Sequence, residues 1–230
     1  MRRICATLLP VLVLMPVRAR AQEGEGTLPE LVQELFTAET AYPQEAGAVQ
    51  LTADARIEDG ATARLLAEVG ITDRFQLSVL SPYADLEDGG AEEEVTVGAQ
   101  YNLFNGPTMA ASLSLEATIP TEGDGVAEWE PALIVARQLG MAQLHGSVSA
   151  GISKDQTDFT PALGLMLDAG RITPTLELAA TVADGETPEI SLTPGLFVHL
   201  LPNLEAGVGA PLDVSHSTLP NVVAMVTLEF

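Results

Sequence analysis

The sequence predicts an all-β fold: an antiparallel transmembrane β-barrel of about twelve strands, with short periplasmic turns and longer acidic outer loops. Three observations carry that expectation. About twelve segments of roughly ten residues alternate apolar and polar side chains, which is the period of a strand and not of a helix. Their connections sort by parity into tight turns and mostly longer acidic loops, the first outer connection Glu58-Asp59-Gly60 alone being short, as an even-stranded barrel with both termini on one side produces. Beyond the N-terminal leader there is no apolar run of ~20 residues, so a membrane could be crossed only by strands closed on themselves.

The chain opens with Arg2 and Arg3, runs through an apolar stretch and reaches Ala19-Arg20-Ala21, a small-residue cleavage site. Residues 1–21 therefore read as a Sec signal peptide. Cys5 lies at the front of its apolar core and so is no lipoprotein anchor. Cleavage removes four of the ten basic residues and none of the 32 acidic ones, taking the formal charge from −22 to −26, and it also removes the only cysteine. The mature chain can form no disulfide. Such acidity argues against nucleic acid and anionic-lipid headgroups as ligands, because both demand a basic footprint. The one lysine is Lys154.

Residues 22–46 read as a periplasmic N-terminal arm, either a short amphipathic helix or a loose segment, because Leu28, Leu31, Val32, Leu35 and Phe36 recur at helical spacing. The barrel then occupies residues 47–230. Val49, Leu51 and Ala53 face away from Gln50, Thr52 and Asp54 on the first strand, and Ala63, Leu65, Ala67 and Val69 mark the second. Phe75, Leu77 and Val79 follow on the third, and Val95, Val97, Ala99 and Tyr101 on the fourth. Met109, Ala111, Leu113 and Leu115 oppose Ser112, Ser114 and Glu116 on the fifth. The sixth runs from Trp129 to Gln138. The seventh, AQLHGSVSAGI from Ala142, is the clearest alternation in the chain. Leu163, Leu176, Leu192 and Leu204 anchor the next four, and the last carries Val222, Ala224, Val226, Leu228 and Phe230 on one face.

Tight turns are expected at Thr72-Asp73, Asn105-Gly106, Leu139-Gly140, Asp168-Ala169-Gly170 and Leu201-Pro202-Asn203, each with hairpin chemistry. The loops starting at Ala84, Pro120, Ser153, Val182 and Asp213 are longer and mostly acidic. Tyr83, Trp129 and Phe159 would form an outer aromatic girdle, and Phe75, Tyr101, Phe104 and Phe230 an inner one. Pro131, Pro161, Pro174 and Pro194 fall inside strands, where each deletes a ladder hydrogen bond, so a bulge or shifted register is expected at Pro194.

The chemistry on offer is carboxylate. Glu94, Glu116 and Glu130 are expected at nearly one height on three neighbouring strands, facing the lumen near the outer rim, with Arg56 and Arg64 flanking the first outer turn. Such a ring favours cations; an internal salt-bridge network is the other reading of the same residues. The loop from Asp85 to Glu94 lacks the ordered spacing of a calcium loop and reads as solvated charge. His145 with Ser147, and Asp213 with His216, show neither a base-orienting acid nor an oxyanion hole, so no enzyme, catalytic residue, metal site or cofactor is expected.

Gly-Ile-Thr-Asp-Arg at 70–74, Ser-Pro-Tyr at 81–83, Ile-Pro-Thr-Glu-Gly-Asp at 119–124, the approach Phe36-Thr37-Ala38-Glu39, and Gln50-Leu51 resemble a family of Gram-negative outer-membrane barrels labelled as putative transporters or as outer-membrane proteins of the MetA pathway of phenol degradation. The resemblance fades after about Gly151. It implies an outer-membrane barrel with uptake of small organic compounds and brings no catalytic residues. Phe230, with Leu228 and Val226 before it, is similar to the C-terminal signal read by the barrel-assembly machinery. The expected function is an outer-membrane channel for passive passage of small solutes, cation-preferring or for small organic compounds; the alternative is a structural barrel with a closed lumen. Expected partners are outer-membrane lipid and lipopolysaccharide, the barrel-assembly machinery and a small-molecule solute.

Overall fold

The computed structural model describes residues 27–57, 60–87, 90, 94–121, 125–154, 156–183, 187–215 and 221–230. The signal peptide assigned to 1–21 and His216 lie outside them. Twelve strands form one antiparallel sheet: β1 Val49–Ile57, β2 Ala61–Thr72, β3 Phe75–Leu80, β4 Glu94–Gly106, β5 Met109–Pro120, β6 Glu128–Leu139, β7 Ala142–Ser149, β8 Asp158–Leu167, β9 Ile172–Ala183, β10 Glu189–Leu201, β11 Leu204–Gly209 and β12 Val222–Glu229. Each strand pairs with the next, and β1 pairs with both β2 and β12, so the sheet closes. Phe230 completes the seam, donating its N–H to Val49 O at 2.8 Å and accepting from Val49 N at 3.3 Å.

Alternation along the strands sends most of the leucines and valines outward, with Leu65, Leu77, Leu113, Leu133, Leu163 and Val226 all exposed on the isolated chain. Gln50, Thr52, Gln100, Gln143, Glu177 and Thr193 turn into the lumen and are buried. The outer face is mostly apolar, and the inner face is mostly amide, hydroxyl and carboxyl with apolar patches such as Ile134, Met166, Phe197 and Met225, a polarity arranged for lipid outside and largely polar contacts within.

The five tight turns fall at one end of the barrel and the longer loops at the other, which also carries the three-residue connection 58–60 between β1 and β2. Gly140 and Gly170, at φ of +69° and +81°, supply the left-handed positions that two of the tight turns need. One turn lies elsewhere than the sequence suggests: β4 runs through Asn105-Gly106, and Pro107-Thr108 makes the reversal. A bulge between Asn102 and Phe104 explains the shift, because it lets Leu103 and Phe104 both face outward and brings Asn105 back to the lumen.

The prolines are accommodated without a bulge at Pro194. The β9–β10 register runs unbroken from Ile172–Val198 to Thr181–Glu189 through the Leu176–Pro194 pair, and the irregularity of β10 lies between His199 and Leu201. A strand residue's N–H and C=O point to the same edge. Pro194 O accepts from Ala210 N at 3.0 Å, so the N–H it lacks would point at Ala210-Pro211, where β11 breaks before resuming as Leu212–Asp213. Pro131 repeats the arrangement: its carbonyl accepts from Ala150 N at 3.1 Å, opposite the break at Ala150-Gly151, after which β7 resumes as Ile152–Ser153. The third break, Ser81-Pro82-Tyr83, faces Leu65, whose N–H is taken by Ser81 Oγ at 2.8 Å.

The arm forms no helix among its described residues. The helical spacing of its apolar side chains reflects burial on several sides: Leu28, Leu31, Val32, Leu35, Phe36, Ala41 and Tyr42 are all buried against the inner wall of the barrel.

Candidate functional site: a lumen filled by the arm

Residues 27–47 form an irregular loop inside the barrel. Near the short-turn end its first leg crosses the wall: Leu28 N donates to Asn105 Oδ1 at 3.1 Å, Gln143 Nε2 to Pro29 O at 2.7 Å, and Gln33 Nε2 to Glu229 Oε2 at 2.8 Å. The crest follows at Phe36–Glu39. Phe36 stacks on Phe197, ring centroids 4.6 Å apart. Phe36, Thr37 and Ala38 donate three consecutive backbone N–H groups to the Glu177 carboxylate, at 3.1, 2.6 and 2.9 Å. The returning leg gives Thr40 O to Gln100 Nε2 and Ala41 O to Asn102 and Ser112, sets Tyr42 edge-on to His145, and donates Gln44 N to Gln76 Oε1 at 2.6 Å before joining β1. An extended segment has no backbone hydrogen bonds of its own, so wall side chains satisfy its groups one by one. Gln50, Gln143, His145 and Phe197 behind it have no solvent exposure.

Above the crest, toward the long-loop end, a cavity of about 340 Å³ remains. Glu116 and Glu130 line it as direct register partners on β5 and β6, and the arm adds Glu39, whose Oε2 accepts from Ser114 Oγ at 3.0 Å. Burial, with Glu130 nearby, pushes the Glu39 carboxyl above the usual carboxylate range against the Ser114 bond. Glu94 does not share this height. It pairs with Pro120, four residues outward of Gly98, the partner of Glu116, and is exposed about 13 Å beyond. Shifting the turn from Asn105-Gly106 to Pro107-Thr108 and inserting the bulge moved that register.

Arg64 also lines the cavity. Its Nε bonds Asp54 Oδ2 at 2.5 Å, its ladder partner, so its charge is locally matched. Tyr83 leaves the girdle expected of it: its ring lies under Arg64 at 4.6 Å and Arg56 at 5.0 Å, and its hydroxyl donates to Asp54 Oδ1 at 3.3 Å. The strand break at Ser81-Pro82-Tyr83 is what turns the ring away from the lipid face. Trp129, Phe159, Tyr101 and Phe104 do face outward.

Glu39 was named by sequence only within the Phe36–Glu39 motif, and Glu34, Glu68, Glu177 and Glu205 were not singled out. Alternation places the last three on the lumen face, a signal that was available; their partners on the arm left no periodic trace. His145 and Ser147 share the lumen face, but the His145 Nε2 bonds Gln143 Oε1 at 2.8 Å and its ring packs on Tyr42. No cluster of histidine, cysteine and carboxylates suited to a metal occurs among the described residues.

No family model matches the chain, and no curated protein matches it. Solved structures do. The KdgM porin is 14% identical, with a TM-score of 0.64 over 79% of this chain and 99% of its own. The NanC porin is 8% identical, with 0.61 over 79% and 98%. An outer membrane channel from Pseudomonas putida is 12% identical, with 0.56 over 83% and 98%. At such identities the likeness is one of fold: the chain has the closed antiparallel barrel of these outer-membrane proteins.

Proposed function

We propose that the protein is an outer-membrane channel for passive passage of small solutes, closed in the state described here by its own N-terminal arm. The observation that carries this reading is the wall beneath the arm. Gln50, Thr52, Glu68, Gln76, Gln100, Asn102, Gln143, Thr173, Thr175 and Glu177 are polar, and a lumen of this chemistry is suited to water once the arm leaves. Barrel closure does not involve the arm, because the β1–β12 seam is made by strand residues and Phe230 alone. The fold shared with the porins and with the Pseudomonas channel supports the same location and the same class of function.

Selectivity follows from charge. The cavity presents Glu39, Glu116 and Glu130 against one arginine already matched by Asp54, so it favours cations and neutral solutes. One of the similar porins was solved with disordered oligogalacturonate, a polyanion; a chain of net charge −22 with this cavity is built against such a substrate. A second reading, a permanently closed structural barrel, is favoured by the depth of arm burial.

Planar-bilayer recording in a salt gradient separates the two. The mature chain and a version lacking residues 27–46 are compared. Rare steps from the first and sustained cation-selective steps from the second are the expected result. Silence from a folded arm-deleted barrel removes the channel reading, and a reversal potential favouring chloride removes the cation preference.

A further inference from the structure

Glu34 of the arm and Glu68 of β2 meet in the lumen. Gln50 Nε2 donates to Glu34 Oε1 at 3.1 Å and to Glu68 Oε2 at 2.8 Å, so those two oxygens are no farther apart than the two bonds laid end to end. Gln76 Nε2 holds the other Glu68 oxygen at 2.7 Å, and Gln44 Nε2 fixes the Gln50 amide from behind at 2.6 Å. The ionisable groups facing Glu34 are Glu68 from β2 and Glu30 and Tyr42 from the arm, while β1 presents the neutral Gln50. Glu116 of β5 faces Glu68, and Arg64 is engaged with Asp54. Among the described residues, none of the charges facing Glu34 is positive.

Glu68 is buried and Glu34 half-buried at the edge of the cavity, and two adjoining carboxyls with no counter-charge beside them among the described residues resist ionising together, so the seated arm favours a proton held between them. With the arm lifted, Glu34 would stand in water, away from Glu68, and lose its proton well below neutrality. Seating the arm therefore takes up a proton.

We propose that the Glu34–Glu68 contact is a pH-sensitive catch: one proton held between the two carboxyls seats the arm, and its loss at higher pH lifts the arm and opens the lumen. The proposal rests on the channel reading above. Burial, and after it Glu68, hold the Glu34 carboxyl well above its usual range. The seated value exceeds the free one, so the contribution to seating is complete below the free carboxyl range and drains away as pH rises through the seated value. A single linked proton changes the ratio of seated to lifted arm up to about tenfold per pH unit inside that window. Glu39, also raised by burial, acts in the same direction.

The test is open probability of the mature chain in planar bilayers from about pH 5 to about pH 9, with each variant first shown to be folded by its heat-dependent mobility on a gel. A rise of tenfold or more with pH is expected. Glu34→Gln puts an amide where the proton was needed and can donate to Glu68 at any pH, so the profile should flatten in the closed state; Glu68→Gln should do the same from the wall side. Glu39 leaves a shallower residual slope, so a pH response of undiminished steepness in both folded variants overturns the catch. The barrel lacking 27–46 should conduct at every pH. If it is silent, the channel reading fails separately, and the catch is then read from labelling of Ala41→Cys, fully buried when seated, by an impermeant maleimide: a rate rising with pH supports it and a flat rate overturns it.

Discussion

Glu177 shows how a single side chain can hold an unstructured segment. A carboxylate facing three successive N–H groups sits in an anion-binding nest, and hydrogen bonds to a charged group contribute roughly 1.5–3 kcal/mol each. Glu177→Gln keeps an acceptor oxygen and loses the charge, so seating should weaken by about 2 kcal/mol, a roughly thirtyfold gain in open fraction at fixed pH. Unchanged recordings would mean that the Phe36–Phe197 stack, not the carboxylate, holds the crest. Glu116 and Glu130 act on selectivity instead. Because they are ladder partners on the cavity wall, replacing both with glutamine in the arm-deleted barrel should move its reversal potential toward zero, whereas Glu94→Gln, exposed beyond them, should leave it in place.

At the level of elements, the arm and the wall bring two threonines together: Thr37 Oγ1 on the crest lies 3.4 Å from Thr193 Oγ1 on β10. A Thr37→Cys, Thr193→Cys pair in a mature chain with no other cysteine is therefore placed to cross-link arm to wall, with small side-chain adjustment to disulfide geometry. Oxidation should silence the channel at every pH and reductant should restore it; conduction through the oxidised form would show that solute passes without displacement of the crest. The strands were legible in the sequence because a closed sheet with opposite solvents on its two faces forces a strict period of two, so Glu177 and Thr193 could be placed in the lumen without coordinates. Thr37 could not. An extended segment bonded one group at a time to distant strands has no period, and Leu28 to Phe36 imitate a helix only because contacts surround them. The Glu94 register failed for a related reason, since a bulge such as the one at Leu103 adds one residue without breaking the alternation of polarity on either side.

The whole molecule divides into a wall that closes on itself and a loop that fills it, and the two should respond differently to truncation. The β1–β12 seam carries eight register pairs from Gln50–Glu229 to Ile57–Val222, and Phe230 adds two backbone bonds to Val49 at the short-turn end. None of these uses the arm. Removing residues 27–46 takes away the apolar contacts of Leu31, Val32, Leu35 and Phe36 with Met166, Phe197, Val223 and Met225, but returns mostly polar wall to water, where its hydrogen bonds are remade. The arm-deleted barrel should therefore still assemble and keep its heat-dependent gel mobility, with a lowered melting temperature. Removing Phe230 alone deletes far fewer atoms, yet it unpairs Val49 at the closing seam and strips the terminal aromatic that, with Leu228 and Val226, is proposed as the signal for the assembly machinery. Outer-membrane yield in cells should fall sharply for that one-residue truncation, while refolding in detergent should suffer less. Equal losses in both settings would assign Phe230 to seam stability rather than to assembly, and no loss in either would leave closure to the eight strand pairs alone.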